Sequence, residues 1–185
     1  MNHLLLHACC APCLTSVNER ISAEFKPVIF WFNPNIEPKE EHERRLETLK
    51  NFTESIGAEL IVGTTKYEND NSEWFEYTKE YTDASEGGRR CQRCIEFRMK
   101  KTAERAKALG LIFTTTLSVS PHKNSDLINK IGEDIGGELD IIFLPANFKK
   151  ENGYLRSIVL SKKFNLYRQN YCGCRYSKER VKSRE

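Results

Sequence analysis

Five short runs of β-forming apolar residues alternate with stretches of helical periodicity, and this alternation constrains the chain more than any other feature. The runs are Leu4 to His7, Pro27 to Phe32, Glu59 to Gly63, Ile112 to Leu117 and Asp140 to Pro145. Between them, Cys13 to Phe25, Lys39 to Ile56, Cys94 to Leu109 and Asn124 to Ile135 carry the apolar spacing of one helix face. Strand–helix alternation predicts an α/β fold, a parallel sheet built from right-handed crossover units. Five strands in the order 3-2-1-4-5 are expected. Two segments stand outside the pattern. Thr64 to Arg90 contains the aromatic stretch Glu73-Trp74-Phe75-Glu76-Tyr77 and Tyr81, and reads as a helical insertion covering the site. Ser157 to Ser177 reads as a C-terminal helical tail that ends in a loop. No repeat or linker interrupts the 185 residues, so one domain over residues 1–185 is expected.

The seven cysteines fall into three tight groups: Cys9, Cys10 and Cys13; Cys91 and Cys94; Cys172 and Cys174. A lone cysteine is most often a small buried hydrophobe, but three groups from distant segments point to one site assembled by folding. Thiolates are soft ligands that favour zinc, copper(I) or iron–sulfur clusters. The longest apolar run is far short of the roughly 20 residues of a membrane span, and the start lacks the basic region of a signal peptide. A cytoplasmic, reducing location is therefore expected, where grouped thiols mean metal or redox chemistry more often than disulfides. An iron–sulfur cluster ranks first, a redox dithiol at Cys91 and Cys94 second, and a structural zinc site third, because four-cysteine zinc would leave three thiols over.

In an open parallel sheet, ligands gather beyond the carboxyl ends of the strands. Cys9 and Cys10 follow the first run, Asn33-Pro34-Asn35 the second, and Ser118, Ser120, His122 and Lys123 the fourth. Hydroxyl, imidazole and ammonium groups there could place a substrate or give it a proton. Asn124 and Ser120 would equally serve as helix caps. The turn after the first run holds cysteines where a phosphate loop would need glycines, and neither nucleotide-binding signature is present, so ATP chemistry has no support. The net charge is only +3, yet the tail from Arg175 to Arg184 is strongly basic and lies close to Tyr154, Tyr167 and Tyr171. That clustering suits single-stranded RNA, although a solvated helix face is the commoner meaning of a charge run.

Taken together, His7-Ala8-Cys9-Cys10-Ala11-Pro12-Cys13, Asn33-Pro34-Asn35, Glu86-Gly87-Gly88-Arg89-Arg90-Cys91-x-x-Cys94, Thr114 to Asn124, Phe148-Lys149-Lys150 and Tyr167 to Cys174 resemble the QueH-type epoxyqueuosine reductases. The likeness runs from His7 to Ser177. It implies a nucleotide-hydrolase-like parallel α/β architecture and the last step of queuosine formation, loss of the epoxide oxygen from epoxyqueuosine at the tRNA wobble position. It also implies a cobalamin-independent route using a [4Fe–4S] cluster with an adjacent iron, a tRNA anticodon loop as partner, and an external electron donor. A tRNA substrate would turn the basic tail into a binding surface. Within this resemblance, Cys9, Cys10, Cys91 and Cys94 are expected to hold the cluster. Cys13, with Cys172 or Cys174, is expected at the second iron, and Cys13, Ser118 and His122 are the expected catalytic residues. A thiol–disulfide oxidoreductase and a zinc-stabilised RNA-binding module are the competing readings.

Overall fold

Leu4, Leu5 and Leu6 are all fully buried, so the first strand is covered on both faces, as parallel strands are. The computed structural model describes residues 2–183; Met1, Glu185 and Arg184 of the basic tail lie outside the described residues. Strands β1 (Asn2–His7), β2 (Phe25–Trp31), β3 (Leu60–Val62) and β4 (Ile112–Thr115) form a parallel sheet in the order 3-2-1-4. Helices α1 (Ala11–Ile21) and α2 (Lys39–Ser55) cover one face, where Leu14, Val17, Leu49 and Phe52 meet Leu4, Leu6, Ile29 and Trp31. Helices α4 (Arg89–Leu109) and α5 (Ser125–Leu139) cover the other, where Phe97, Met99, Ala103 and Ile128 meet Leu5, Val28, Phe30 and Phe113. Helix α3 (Tyr67–Thr78) packs on α4, and α6 (Gly153–Lys163) packs on α1. The short α7 (Arg175–Lys182) follows the last cysteine.

Pro27 sits inside β2 without harm. Ile29 donates its N–H to Glu59 on the β3 side, and the strand period of two turns the Pro27 nitrogen to that same side. Since β3 pairs only from Ile29 onward, no partner is present at Pro27 to miss the donor. Gly57 and Gly110 take positive φ just past α2 and α4, as caps of those helices.

The expected fifth strand is a correction. Asp140 to Pro145 forms a single parallel bridge, Phe113 with Phe143, beside β4. Phe113 donates to the Ile142 carbonyl at 3.0 Å and Leu144 donates back to the Phe113 carbonyl at 2.8 Å. The ladder then stops for local reasons. Thr114 Oγ1 donates to the Leu144 carbonyl, Pro145 has no N–H, and Ala146 donates to Asn129 Oδ1 instead of to β4. The start of the segment is consumed by α5, which runs on to Leu139 and ends at Asp140 in a left-handed conformation.

Two other boundaries shift in ways that matter for the site. Strand β4 ends at Thr115, two residues before the expected end, and Thr116–Val119 coils into a 3-10 turn capped by the Thr115 hydroxyl. Helix α4 starts five residues earlier than its spacing indicates, so Cys91 and Cys94 both lie on its first two turns. The insertion is helical as expected, through α3 and a 3-10 turn at Lys79–Tyr81.

Candidate metal centre

The chain leaves β1 at His7 and enters α1 at Ala11, so Cys9, Cys10 and Cys13 share one tight turn at the carboxyl edge of the central strand. Cys10 caps α1, its sulfur accepting from the Cys13 N–H at 3.3 Å. The sulfurs of Cys9, Cys10 and Cys13 all lie within 4.8 Å of one another, a group that could hold a metal ion. Thr116 fixes Cys9 from the β4 side: its hydroxyl accepts the Cys9 N–H at 3.1 Å and lies 3.3 Å from the Cys9 sulfur. Hydrogen bonding from Cys10 and Cys13 holds the Cys9 thiol well below its usual range. Burial pushes Cys10 up to about 12, and Cys13 is pushed up by its hydrogen bonding with Cys10 and Cys9. The trio thus favours a single shared thiolate when no metal is present.

Cys91 and Cys94 face the same space from α4, and the Gly87 N–H donates to the Cys91 sulfur at 3.2 Å. Cys172 and Cys174 arrive on the loop before α7, clamped to the start of α2. Arg45 is 2% exposed; its Nη1 donates to the Cys172 carbonyl at 3.0 Å, Nη2 to the Tyr171 carbonyl at 3.3 Å, and Nε to Glu41. The Glu37 N–H donates to the Gly173 carbonyl at 2.8 Å, and Arg175 Nε donates to the Glu37 carboxylate at 3.1 Å. Cys9, Cys13, Cys91, Cys94, Cys172 and Cys174 all line one cavity of about 530 Å³, and Cys10 lies buried at its edge. Burial, and then the charge of Cys172, raises the Cys174 thiol to about 12; Cys94 and Cys91 add to the same rise. Cys172, Cys94 and Cys91 thus all act on Cys174, while Lys123 feels Cys172 together with Cys9 and Cys13.

Of the expected catalytic residues, Cys13 and His122 line this cavity and Ser118 does not. Ser118 is 1% exposed in the 3-10 turn, where its hydroxyl accepts the Phe148 N–H. His122 stands exposed at the rim. Lys123 lies between rim and thiols, its ammonium form favoured first by Cys172 and then by Cys9 against the cost of burial. His7 is a satisfied core histidine: Nδ1 meets Thr115 Oγ1 at 2.9 Å and Nε2 meets the Phe32 carbonyl at 3.3 Å. Burial, helped by the charge of Arg98, lowers His7 to about 4 and keeps it neutral. Asn33 is also structural, donating to the Ala8 carbonyl and accepting from Arg98, whereas Asn35 lines the cavity.

The basic tail divides. Arg168 and Arg180 line the cavity with Tyr154 and Tyr171, but Arg156 pairs with Glu19 on the α1 side and Arg44 stacks on Tyr167. Arg98, Arg45 and Gln169 were not singled out by sequence as site residues. Arg98 had a usable signal, standing four residues after Cys94 on the same helix face. Among the described residues no helix is long and apolar enough to cross a membrane.

A parallel α/β sheet whose central strand leads into three close thiols, two of them lining a cavity with four further cysteines, defines a thiol-rich α/β protein with a site that could hold a metal. The family model for "Epoxyqueuosine reductase QueH" matches residues 4–180. A relative from Thermotoga maritima, named epoxyqueuosine reductase QueH, is 38% identical over 179 residues, covering 96% of this chain and 91% of its own. Relatives of the same name from Streptococcus pyogenes serotype M1 and Dehalococcoides mccartyi are 37% and 35% identical, each over 94% of this chain and over 69% and 91% of their own lengths. The chain belongs to the QueH family of epoxyqueuosine reductases, which are oxidoreductases.

Proposed function

We propose that this chain reduces epoxyqueuosine to queuosine at the wobble position of tRNA, in the cytoplasm, at the cysteine-lined cavity. The carrying observation is that the three cysteine groups meet at one cavity beside the carboxyl end of β1. Turning an epoxide into an alkene breaks two C–O bonds, forms one C=C bond, and consumes two electrons and two protons as the oxygen leaves as water. The electrons must come from outside the chain, so a protein or small-molecule reductant is part of the reaction.

The donor set fits an iron–sulfur cluster and an adjacent iron. Cys91, Cys94, Cys172 and Cys174, the cavity-lining cysteines outside the trio, supply the ligand count of a [4Fe–4S] cluster. Cys9, Cys10 and Cys13 supply three thiols close enough for one ion. When bound, the cluster would supply electrons and the iron a Lewis acid for the epoxide oxygen. The division with Cys9 and Cys10 joining Cys91 and Cys94 remains the competing assignment. Cys172→Ser separates the two: here it loses the cluster, there it spares it.

The chain's own groups do the rest. Lys123 carries its ammonium into the cavity, where it can face the departing oxygen as a charged hydrogen-bond donor that keeps its proton; His122 stands where the substrate enters. Arg168 and Arg180 at the cavity suit the phosphates of an anticodon loop, and Tyr154 and Tyr171 offer faces on which a base can stack. Anaerobic purification with iron and acid-labile sulfide analysis, followed by mass analysis of tRNA nucleosides after incubation with reductant, tests the reading. Loaded protein is expected to convert epoxyqueuosine to queuosine, and Cys91→Ser to lose visible absorbance and product together. Stoichiometric zinc without sulfide, or unchanged epoxyqueuosine with a loaded cluster, refutes it.

A further inference from the structure

Trp74 is 1% exposed, and its indole Nε1 is a buried donor with no partner among the described residues. Such donors are rare, because an unpaired N–H loses its water and gains nothing in return. The fold satisfies its other buried indole: Trp31 Nε1 donates to His42 Nε2 at 3.3 Å. Trp74 comes from the inserted helix α3 and belongs to the core cluster against which Cys94 and Cys174 pack. It also lines the cavity. Arg98 repeats the pattern one helical turn after Cys94: its Nη1 donates to Asn33, yet its Nε is buried and unpartnered. Two orphaned N–H groups therefore belong to residues that line the same cavity as the half-buried Cys94 thiol.

We infer that the Trp74 indole N–H donates to the Cys94 sulfur once that sulfur is a metal-bound thiolate, and so raises the reduction potential of the centre. A thiol gives little back to an N–H donor, whereas a thiolate is a charged acceptor, so the contact matters only in the ligated state. Donors to a ligating sulfur draw off charge and stabilise the more negative, reduced state. The inserted helix thus does more than cover the cavity. The inference rests on the iron–sulfur reading above.

The test replaces Trp74 site-specifically by 3-benzothienylalanine, which keeps the shape and has sulfur where the indole has N–H, with Trp74→Phe alongside. Iron and sulfide are measured first in the unaltered protein; their absence there defeats the iron–sulfur reading before the variant is examined. With the unaltered protein loaded, the isostere is expected to hold the same iron and sulfide and to show a more negative midpoint potential with a shifted thiolate-to-iron absorption band. An unchanged potential in the loaded isostere overturns the inference. Loss of the cluster from the isostere overturns it too, because the N–H is assigned tuning and not holding. Trp74→Phe is expected to shift the potential the same way while also lowering stability, the only change a purely structural indole would give.

Discussion

Gly173, between the last two cysteines, is the residue on which the clamped loop depends most sharply. Its φ is +142°, a conformation that side chains rarely adopt, and a Cβ there would meet Ile36 Cγ1 at 3.0 Å, Asn35 Nδ2 at 3.1 Å and Arg45 Nη1 at 3.3 Å. The backbone strain of such a conformation costs on the order of 1–3 kcal/mol. Crowding a packed site adds roughly 1–3 kcal/mol more. Gly173→Ala is therefore expected to cost about 2–6 kcal/mol while the loop stays docked. The chain has a cheaper escape, since residues 171–175 can let go of Arg45 and Glu37 while the sheet stays folded. The damage should therefore fall on cofactor retention more than on global unfolding. A docking penalty of about 3 kcal/mol corresponds to roughly a 100-fold weaker hold on whatever the loop binds.

The assay has two arms: iron and sulfide per chain after anaerobic gel filtration, and urea unfolding of the metal-free protein. Gly173→Ala should elute largely depleted while its unfolding midpoint moves little. A variant that keeps full iron and sulfide through filtration would refute the docking logic. Equal losses in both arms would show that the loop is part of the global folding unit.

His42, 3% exposed beneath Trp31, is lowered to about 4 by burial and then by the charge of Arg45. Between pH 6.5 and 4 the unfolded chain binds a proton that the folded chain refuses. Its contribution is therefore complete above pH 6.5 and falls with pH by on the order of 2–3 kcal/mol. Urea titrations of wild type and His42→Gln across pH 7 to 4.5 should show a shallower pH slope in the variant; parallel slopes would refute this. In metal-free, reduced protein, iodoacetamide at pH 7 should label Cys9 before Cys10, Cys13 and Cys174, read by fragment-ion mass mapping, and Thr116→Ala should slow that labelling; uniform labelling would contradict the shared-thiolate trio. Arg168→Ala should weaken anticodon stem-loop binding most at low salt and reduce the salt slope by about 1; an unchanged slope would remove Arg168 from the phosphate contacts.

Much of the architecture was legible because burial on both faces leaves a plain mark: Leu4-Leu5-Leu6 and Val28-Ile29-Phe30 can be little but central parallel strands. The fifth strand failed on contacts no local pattern carries, a threonine hydroxyl and an asparagine amide taking the places of ladder partners. Convergence of the cysteines was readable from their grouping. The loss of Ser118 to the interior was not, because it follows from the 3-10 turn that ends β4 two residues early. Arg45 and Gly173 were invisible for another reason. Arg45 acts on backbone carbonyls 126 and 127 residues away, and a mid-helix arginine reads as solvated surface until the fold buries it.

A net charge of +3 hides a strong local imbalance. Arg90, Arg98, Lys123, Arg168 and Arg180 line the cavity, and Glu86, the sole carboxylate among its described lining residues, is paired with Arg180 at 2.5 Å. Raised thiols at Cys10, Cys13, Cys94 and Cys174 favour protonated sulfur at those positions before a metal binds. Binding a metal releases those protons and turns thiols into thiolates, and the arginines and lysine are then the counter-charges already in place. In the proposed reaction the rim cations would have a second use, because a polyanionic RNA would have to approach a centre that becomes more negative when reduced. One set of basic residues would then serve both the thiolates within and the phosphates without. The surplus therefore belongs at the cavity, and the rest of the surface is free to stay nearly neutral.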